Sequence, residues 1–273
     1  MAPPLILSDN LFEAVVLHPT FTLSSPTPEV GGAEVFRVAD NLRDVTRYVG
    51  QGPQVDCGAP AGASCVVLDR GHTMAGRVFR VQVGGDPTWA PGSYADAAAG
   101  TVPAAPGGSP YDPGGCLTPE GVWWRVFVPA AGRCWRVVAE AADGPQVFTG
   151  VALGQHYGFP EYWDGPSSLD YRLNVRVGKN ALSRGGLRVK RQLVTYAELQ
   201  LRATLEEADY PALHAQVWRL LAQGQPWWVC TDPDAPQPLR LFQAPEGGVY
   251  DPTGVVNRSV DLLLEEVAPV LAL

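Results

Sequence analysis

A chain of 273 residues, 46% hydrophobic and 18% charged, can bury a sizeable core and is not a disordered polymer. Its formal net charge of −8 excludes nucleic-acid binding driven by a strong positive field, and no sequence-specific nucleic-acid recognition is expected. The 26 prolines and 30 glycines lie between apolar runs without a period, which excludes collagen and a single long linker and points to many short strands joined by irregular loops.

In chain order, MAPPLILSDN has no basic leader and too short an apolar run for a signal peptide. No uninterrupted apolar stretch reaches about 18 residues, so no membrane span is expected. Two apolar runs break at His18-Pro19, and a strand is predicted over Val35–Val38. Gly50–Ala63 reads as a loop and Cys65–Leu68 as a compact strand. After the connection DRGHTMAG comes a strand holding Val78, Phe79, Val81 and Val83, with Arg80 and Gln82 in mixed surroundings. Pro87–Pro119 shows little strand pattern, and so long a loop is functional, ordered by a partner or mobile. Val122–Val128 and Cys134–Ala141 read as two strands joined by the turn PAAGR, with Val147–Leu153 as a third. Short strands of this kind predict an antiparallel jelly-roll sandwich over residues 1–160.

GFPEYWDGPSSL marks a boundary, and a second β domain is predicted over 170–273. A strand over Tyr171–Val177 leads to the chain's firmest pattern, LRVKRQLVTYAELQLRATL, where Leu199, Leu201 and Ala203 alternate and the apolar phase slips near Thr195–Ala197, which predicts a bulge. A helix is predicted near 209–223, with Asp209 as N-cap, Pro211 in the first turn and Gly224 as the stop, and its buried stripe is Leu213, Val217, Leu220 and Leu221. PWWVCTD, Leu239–Phe242 and Val260–Val267 follow as strands.

The chemistry-bearing residues are sparse. His18, His72, His156 and His214 match no metal spacing, and no nucleophile elbow, phosphate loop or dinucleotide fingerprint occurs, so neither an enzyme nor a bound cofactor or metal is expected. Asp69 and His72 are either an acid–base or ligand pair or a turn cap with a packing histidine. Cys57, Cys65, Cys116, Cys134 and Cys230 are odd in number and suit free thiols in a reducing cytoplasm. A strand alternates its faces, so one ring each of Trp123/Trp124 and Trp227/Trp228 needs a partner surface, a loop cover or another subunit. Trp89, Tyr94 and Tyr111, in the long loop, are the candidate contacts for a glycan or a partner. Basic residues concentrate between Arg172 and Arg202 against the single acid Glu198. Arg184, Arg188, Lys190 and Arg191, with Trp227 and Trp228, are therefore the candidate subunit interface, pairing head to tail with an acidic face of the next copy.

Two passages, ASCVVLDRGHTMAGRVFRVQV and RCWRVVAEAADGPQVFTGVALGQ, together resemble the discoidin-like jelly-roll region of structural proteins in tailed bacteriophages, with Asp69-Arg70-Gly71-His72 and Cys134-Trp135-Arg136 in the recurring places. The later strand, helix, GQPWWV and VDLLLEEV are similar in layout to the sandwich-plus-helix domain of phage tail-tube and distal-tail proteins. The resemblance implies a non-enzymatic virion protein of a phage tail (tail tip, distal tail or tube-associated), made in the host cytoplasm. Such a protein assembles as a homo-oligomeric ring with other tail proteins as partners. The alternative is a module that attaches to host cell-surface glycan.

Overall fold

The computed structural model describes residues 5–7, 10–12, 22–24, 48–49, 53–139, 147–148, 150–158, 169–179, 190–205, 211, 214–215, 224–232, 234, 239–244 and 258–267. Short apolar runs between Gly and Pro turns form strands here. In chain order these are β1 Leu5–Leu7, β2 Thr22–Ser24, β3 Tyr48–Val49, β4 Gln54–Leu68, β5 Val78–Gly84, β6 Tyr94–Thr101, β7 Cys116–Leu117 and β8 Trp123–Ala139. There follow β9 Val147–Phe148, β10 Val151–Gly154, β11 His156–Gly158, β12 Leu169–Lys179, β13 Lys190–Leu205, β14 Trp227–Cys230, β15 Arg240–Gln243 and β16 Arg258–Glu266. The fold is all-β, and among the described residues these strands pair antiparallel. Among the described residues only Pro211, His214 and Ala215 are helical, all within the predicted helix.

The chain divides into two compact units. The first comprises Met1–Gly158, Trp228–Leu239 and Val270–Leu273. Its main sheet has the order β10-β4-β8-β5-β6, with β2 added on β4 and β7 on β8. In the same unit β1 pairs with β11 on one side and with Trp228–Cys230 of β14 on the other. The inward face of the main sheet carries Val55, Val66, Leu68, Phe79, Val81, Trp123, Trp135 and Val137, packed with Phe12, Met74 and Leu153. Phe79 and Trp123 meet edge to face with centroids 4.3 Å apart.

The second unit comprises Phe159–Trp227 and Arg240–Pro269. Here β12 pairs with β13, β13 with β16, and β16 with β15. The predicted alternation holds, since Leu199 and Leu201 are buried while Glu198 and Gln200 between them are partly exposed. The bulge falls two residues earlier than predicted. Arg176 faces Val194 and Val177 faces Gln192, leaving Leu193 as the extra residue.

Three expectations are corrected in the first unit. PAAGR is not a turn: Trp123–Ala139 runs as one strand, because Ala130, Ala131 and Gly132 pair across to Ala63, Gly62 and Ala61. For the same reason most of the expected loop Gly50–Ala63 is the first part of β4, with irregular register between Asp56 and Ala61. The Pro87–Pro119 segment is not patternless, since it contains β6 and β7. Small residues at Ala95, Ala97–Ala99 and Gly100 conceal strand β6 from any reading by hydrophobic alternation.

Candidate functional site

The outward face of the main sheet holds a polar rung surrounded by aromatic rings. Alternation puts Trp135 and Val137 of β8 inward, so Arg136 between them faces out. Arg136 lies opposite Gln54 of β4 on one side and Gln82 of β5 on the other, and Gln82 lies opposite Asp96 of β6. A register shift after Val81 leaves Ala97 as an extra residue in β6 and aims Asp96 outward. The rung is continuously bonded. Arg136 Nε donates to Gln82 Oε1 at 2.7 Å, Gln82 Nε2 donates to Asp96 Oδ1 at 2.8 Å, and Arg80 Nη1 meets Asp96 Oδ2 at 2.6 Å. Gln82 is only 6% exposed, so its amide is fixed by both bonds.

The next outward rung is Asp56 of β4, Cys134 of β8, Gly84 of β5 and Tyr94 of β6. Arg133 binds Asp56 in bidentate fashion, Nε to Oδ1 and Nη2 to Oδ2, both at 2.7 Å, and so holds the Asp56 carboxyl below its ordinary range. Gly84 leaves a gap in this rung, and the Trp89 ring comes over it. A Cβ at Gly84 would stand 3.6 Å from Trp89 Cζ3, 3.3 Å from Tyr94 Cβ and 3.0 Å from Ser93 O.

The loop carrying Trp89 consists of two successive turns. Asp86 Oδ1 accepts the Thr88 N–H at 2.8 Å, and Ala90 O accepts both the Ser93 N–H at 2.9 Å and the Ser93 hydroxyl at 2.7 Å. Pro91 followed by Gly92 at φ 88° suits a type II turn. Between the turns Trp89 takes φ 52°, the left-handed region that a bulky residue enters only at a cost of about 1–3 kcal/mol. Two contacts offset that strain. The Arg136 guanidinium lies 4.3 Å from the Trp89 ring centroid and 4.9 Å from that of Tyr94, and the two rings meet edge to face at 6.0 Å. Both rings remain partly exposed.

Thus Trp89 and Tyr94 of the predicted contact set come together, and Tyr111 does not join them. Tyr111 stands 55% exposed on the Ser109–Asp112 turn, with Cys230 and Asp234 among its neighbours. The residues missed by sequence reasoning are Arg136, Gln82 and Asp96. The available signal was the polar alternation of Arg80 and Gln82 along β5.

The other candidates fare differently. Trp227 and Trp228 are 0% and 3% exposed, which corrects their assignment to a subunit interface: this chain's own residues already cover both rings. Trp123 and Trp124 are also both buried, Trp123 within the core and Trp124 on the opposite face. Trp123 Nε1 donates to Gly114 O at 2.8 Å, and Cys116 pairs directly with Trp124. Gly115, at φ 71°, permits this close approach, because a Cβ there would strike Trp124 O and Trp123 Nε1 at 2.7 and 2.8 Å. Lys190 and Arg191 lie on β13, paired with Lys179 and Gly178 of β12, whereas Arg184 and Arg188 are outside the described residues. All five cysteines are free and buried, and burial pushes the Cys57 and Cys230 thiols up to about 12.

Asp69 and His72 follow the capping alternative. Asp69 Oδ1 accepts the Arg70 N–H at 2.8 Å, and His72 Nδ1 accepts the Met74 N–H at 3.1 Å. Burial lowers the His72 pKa to about 4. The unfolded imidazole binds its proton near pH 6.5 and the folded one only near 4, so between those values the unfolded chain holds more protons and acid weakens the fold. Stability of the first unit is therefore expected to fall by on the order of 3 kcal/mol as pH drops from 6.5 to 4. Urea unfolding across that range checks this. His72→Gln, which still offers an acceptor to Met74 N–H, should flatten the slope.

Among the described residues no group of three or more His, Cys, Asp or Glu side chains is placed to hold a metal ion, and no helix is long and apolar enough to cross a membrane. No protein-family model matches the chain, and no curated protein matches it. Several solved structures are similar over about half of it. The crystal structure of SpGH29 is 16% identical with a TM-score of 0.37, covering 55% of this chain and 28% of that one. The family 32 CBM from C. perfringens NanJ in complex with galactose is 12% identical with a TM-score of 0.36, covering 51% and 96%. Chitosan-binding module 1 from a Paenibacillus sp. IK-5 chitosanase/glucanase is 16% identical with a TM-score of 0.35, covering 55% and 99%. At such identities and scores the functional reading rests on the side chains themselves.

Proposed function

We propose that this chain is a non-catalytic glycan-binding module, its first unit a jelly roll that carries the sugar on the Trp89–Tyr94–Arg136 platform. One observation carries the reading. A partly exposed tryptophan is held in a strained backbone conformation beside a second aromatic ring, directly over a bonded rung of Arg, Gln and Asp. A pyranose presents an apolar C–H face and a rim of hydroxyls. A ring surface supplies the first contact, and planar polar groups held in fixed geometry supply the second. Strain at a position far from the core is the mark of a side chain placed for contact rather than for packing.

The test is titration with a panel of soluble polysaccharides. Saturable binding to at least one is expected, and Trp89→Ala should weaken it by roughly tenfold or more while leaving the thermal unfolding midpoint little changed. Tyr111→Ala should leave it intact, since that ring stands apart. No saturable binding to any member of the panel, or binding untouched by Trp89→Ala, overturns the assignment.

The setting we propose for this module is the tail of a bacteriophage virion, in a ring of identical copies that displays the platform toward host cell-surface glycan. Its support is the resemblance carried by Asp69-Arg70-Gly71-His72 and Cys134-Trp135-Arg136, together with the basic run Arg172–Arg202 in a chain of net charge −8. Lys190 and Arg191, on a strand of the second unit, are the described members of the proposed ring contact. Purified protein that is monomeric at every concentration, together with a particle map in which its copies do not touch, overturns the ring.

A further inference from the structure

Among the described residues, the outward face holds one guanidinium, that of Arg136, whose nearest carboxylates are each engaged by another arginine. Of its carboxylates, Asp96 is engaged by Arg80 and Asp56 by Arg133. Asp86, on the Trp89 loop, accepts the Thr88 N–H, and the charge it acts on is that of Arg133. Arg136 makes no salt bridge among the described residues. Its partners are the neutral Gln82 amide, the face of Trp89 and the ring and hydroxyl of Tyr94, and the Asp96 carboxylate that acts on it is already engaged by Arg80. Partial burial lowers its pKa, against the opposite pull of Tyr94 and of the Asp96 carboxylate, so the guanidinium gives up hydration without an ion pair of its own.

Granting the glycan reading above, we propose that the ligand is an acidic saccharide, its carboxylate paired with Arg136 while its ring lies against Trp89. Three features favour this class over a neutral sugar. A guanidinium is planar and matches a carboxylate with two parallel N–H donors. The Arg136 fork is already oriented, by Nε bonded to Gln82 and by two rings, so little side-chain freedom remains to be lost on binding. Gln82 is itself locked by Asp96, whose own charge is met by Arg80, so the neighbouring carboxylate does not repel an incoming anion at full strength. The bulge at Ala97 builds this order: without it Asp96 would face the core and the rung would end at Gln82.

The experiment titrates the full chain with a soluble polymer of a hexuronic acid and with the same polymer after reduction of its carboxyl groups to neutral alcohols. Binding to the polyuronate is expected to exceed that to the reduced polymer by about tenfold or more, and to weaken as salt is raised. Arg136→Gln should erase the difference, while Tyr111→Ala, at a ring that stands apart from the platform, should preserve it. Equal binding to both polymers, lost in Trp89→Ala, overturns the acidic class and leaves the glycan reading standing. Binding to neither polymer overturns the acidic class, and the neutral members of the wider panel then decide the glycan reading.

Discussion

Replacing Trp135 by alanine is expected to cost the first unit about 4 kcal/mol of stability. Trp135 is fully buried at the middle of the core, opposite Val55 on β4 and Val83 on β5. Its indole N–H also joins two places that the sequence alone leaves unconnected. Nε1 donates to Gly132 O at 3.0 Å and to Ala61 O at 3.2 Å, and thereby binds the irregular stretch of β4 to the small-residue stretch of β8. Alanine loses the packed ring, opens a cavity and leaves both carbonyls without that donor. Phenylalanine keeps most of the volume and loses only the donor, so Trp135→Phe should cost roughly 1–2 kcal/mol. Denaturant unfolding of the two variants separates the terms. A loss below about 1 kcal/mol for the alanine variant would show that the core has collapsed around the site.

The second large effect is on binding. Gly84→Val is expected to weaken glycan binding by roughly tenfold or more, at a cost in stability of about 1–3 kcal/mol. A β-branched residue suits the φ and ψ of a strand, so β5 tolerates it. Its side chain, however, fills the gap under the Trp89 ring and crowds Ser93 O and Tyr94 Cβ. The ring must then leave Arg136, and with it goes the contact that offsets the left-handed backbone at Trp89. Because Gly84→Val and Trp89→Ala remove the same contact, their effects should not add: the double variant is expected to bind no more weakly than Trp89→Ala alone. Full additivity would mean that Gly84 acts by another route. Near-ultraviolet circular dichroism should register the displaced indole before any ligand is added.

Particular residues show what was legible without coordinates. Val78, Phe79, Val81 and Val83 announce β5, and Leu199 and Leu201 announce the buried face of β13, because in each the period of two is written in large side chains. The Asp69–His72 turn is legible for a similar reason: its bonds run to the backbone of the next residues, Arg70 and Met74. Where alternation passes through alanine and glycine the signal disappears. Tyr94–Thr101 and Ala130–Gly132 are strands only because a neighbour completes their ladders. Trp227 and Trp228 misled for a different reason. Alternation correctly puts them on opposite faces, but it cannot tell whether the chain itself covers the second face.

The candidate site divides the same way. Composition and patterning by themselves point to a mostly β chain, and its loop-borne aromatics single out Trp89 and Tyr94, which end 6.0 Å apart. Only the tertiary structure decides that Arg136, at sequence separations of 47 and 42 from those rings, lies between them, and that Gln82 and Asp96 fix its orientation. The physical reason is register. A strand's own sequence sets which face each side chain takes, whereas the partner across the ladder is set by bulges such as the one at Ala97 and by turns such as Ala90–Ser93, whose effect accumulates over distant segments of the chain.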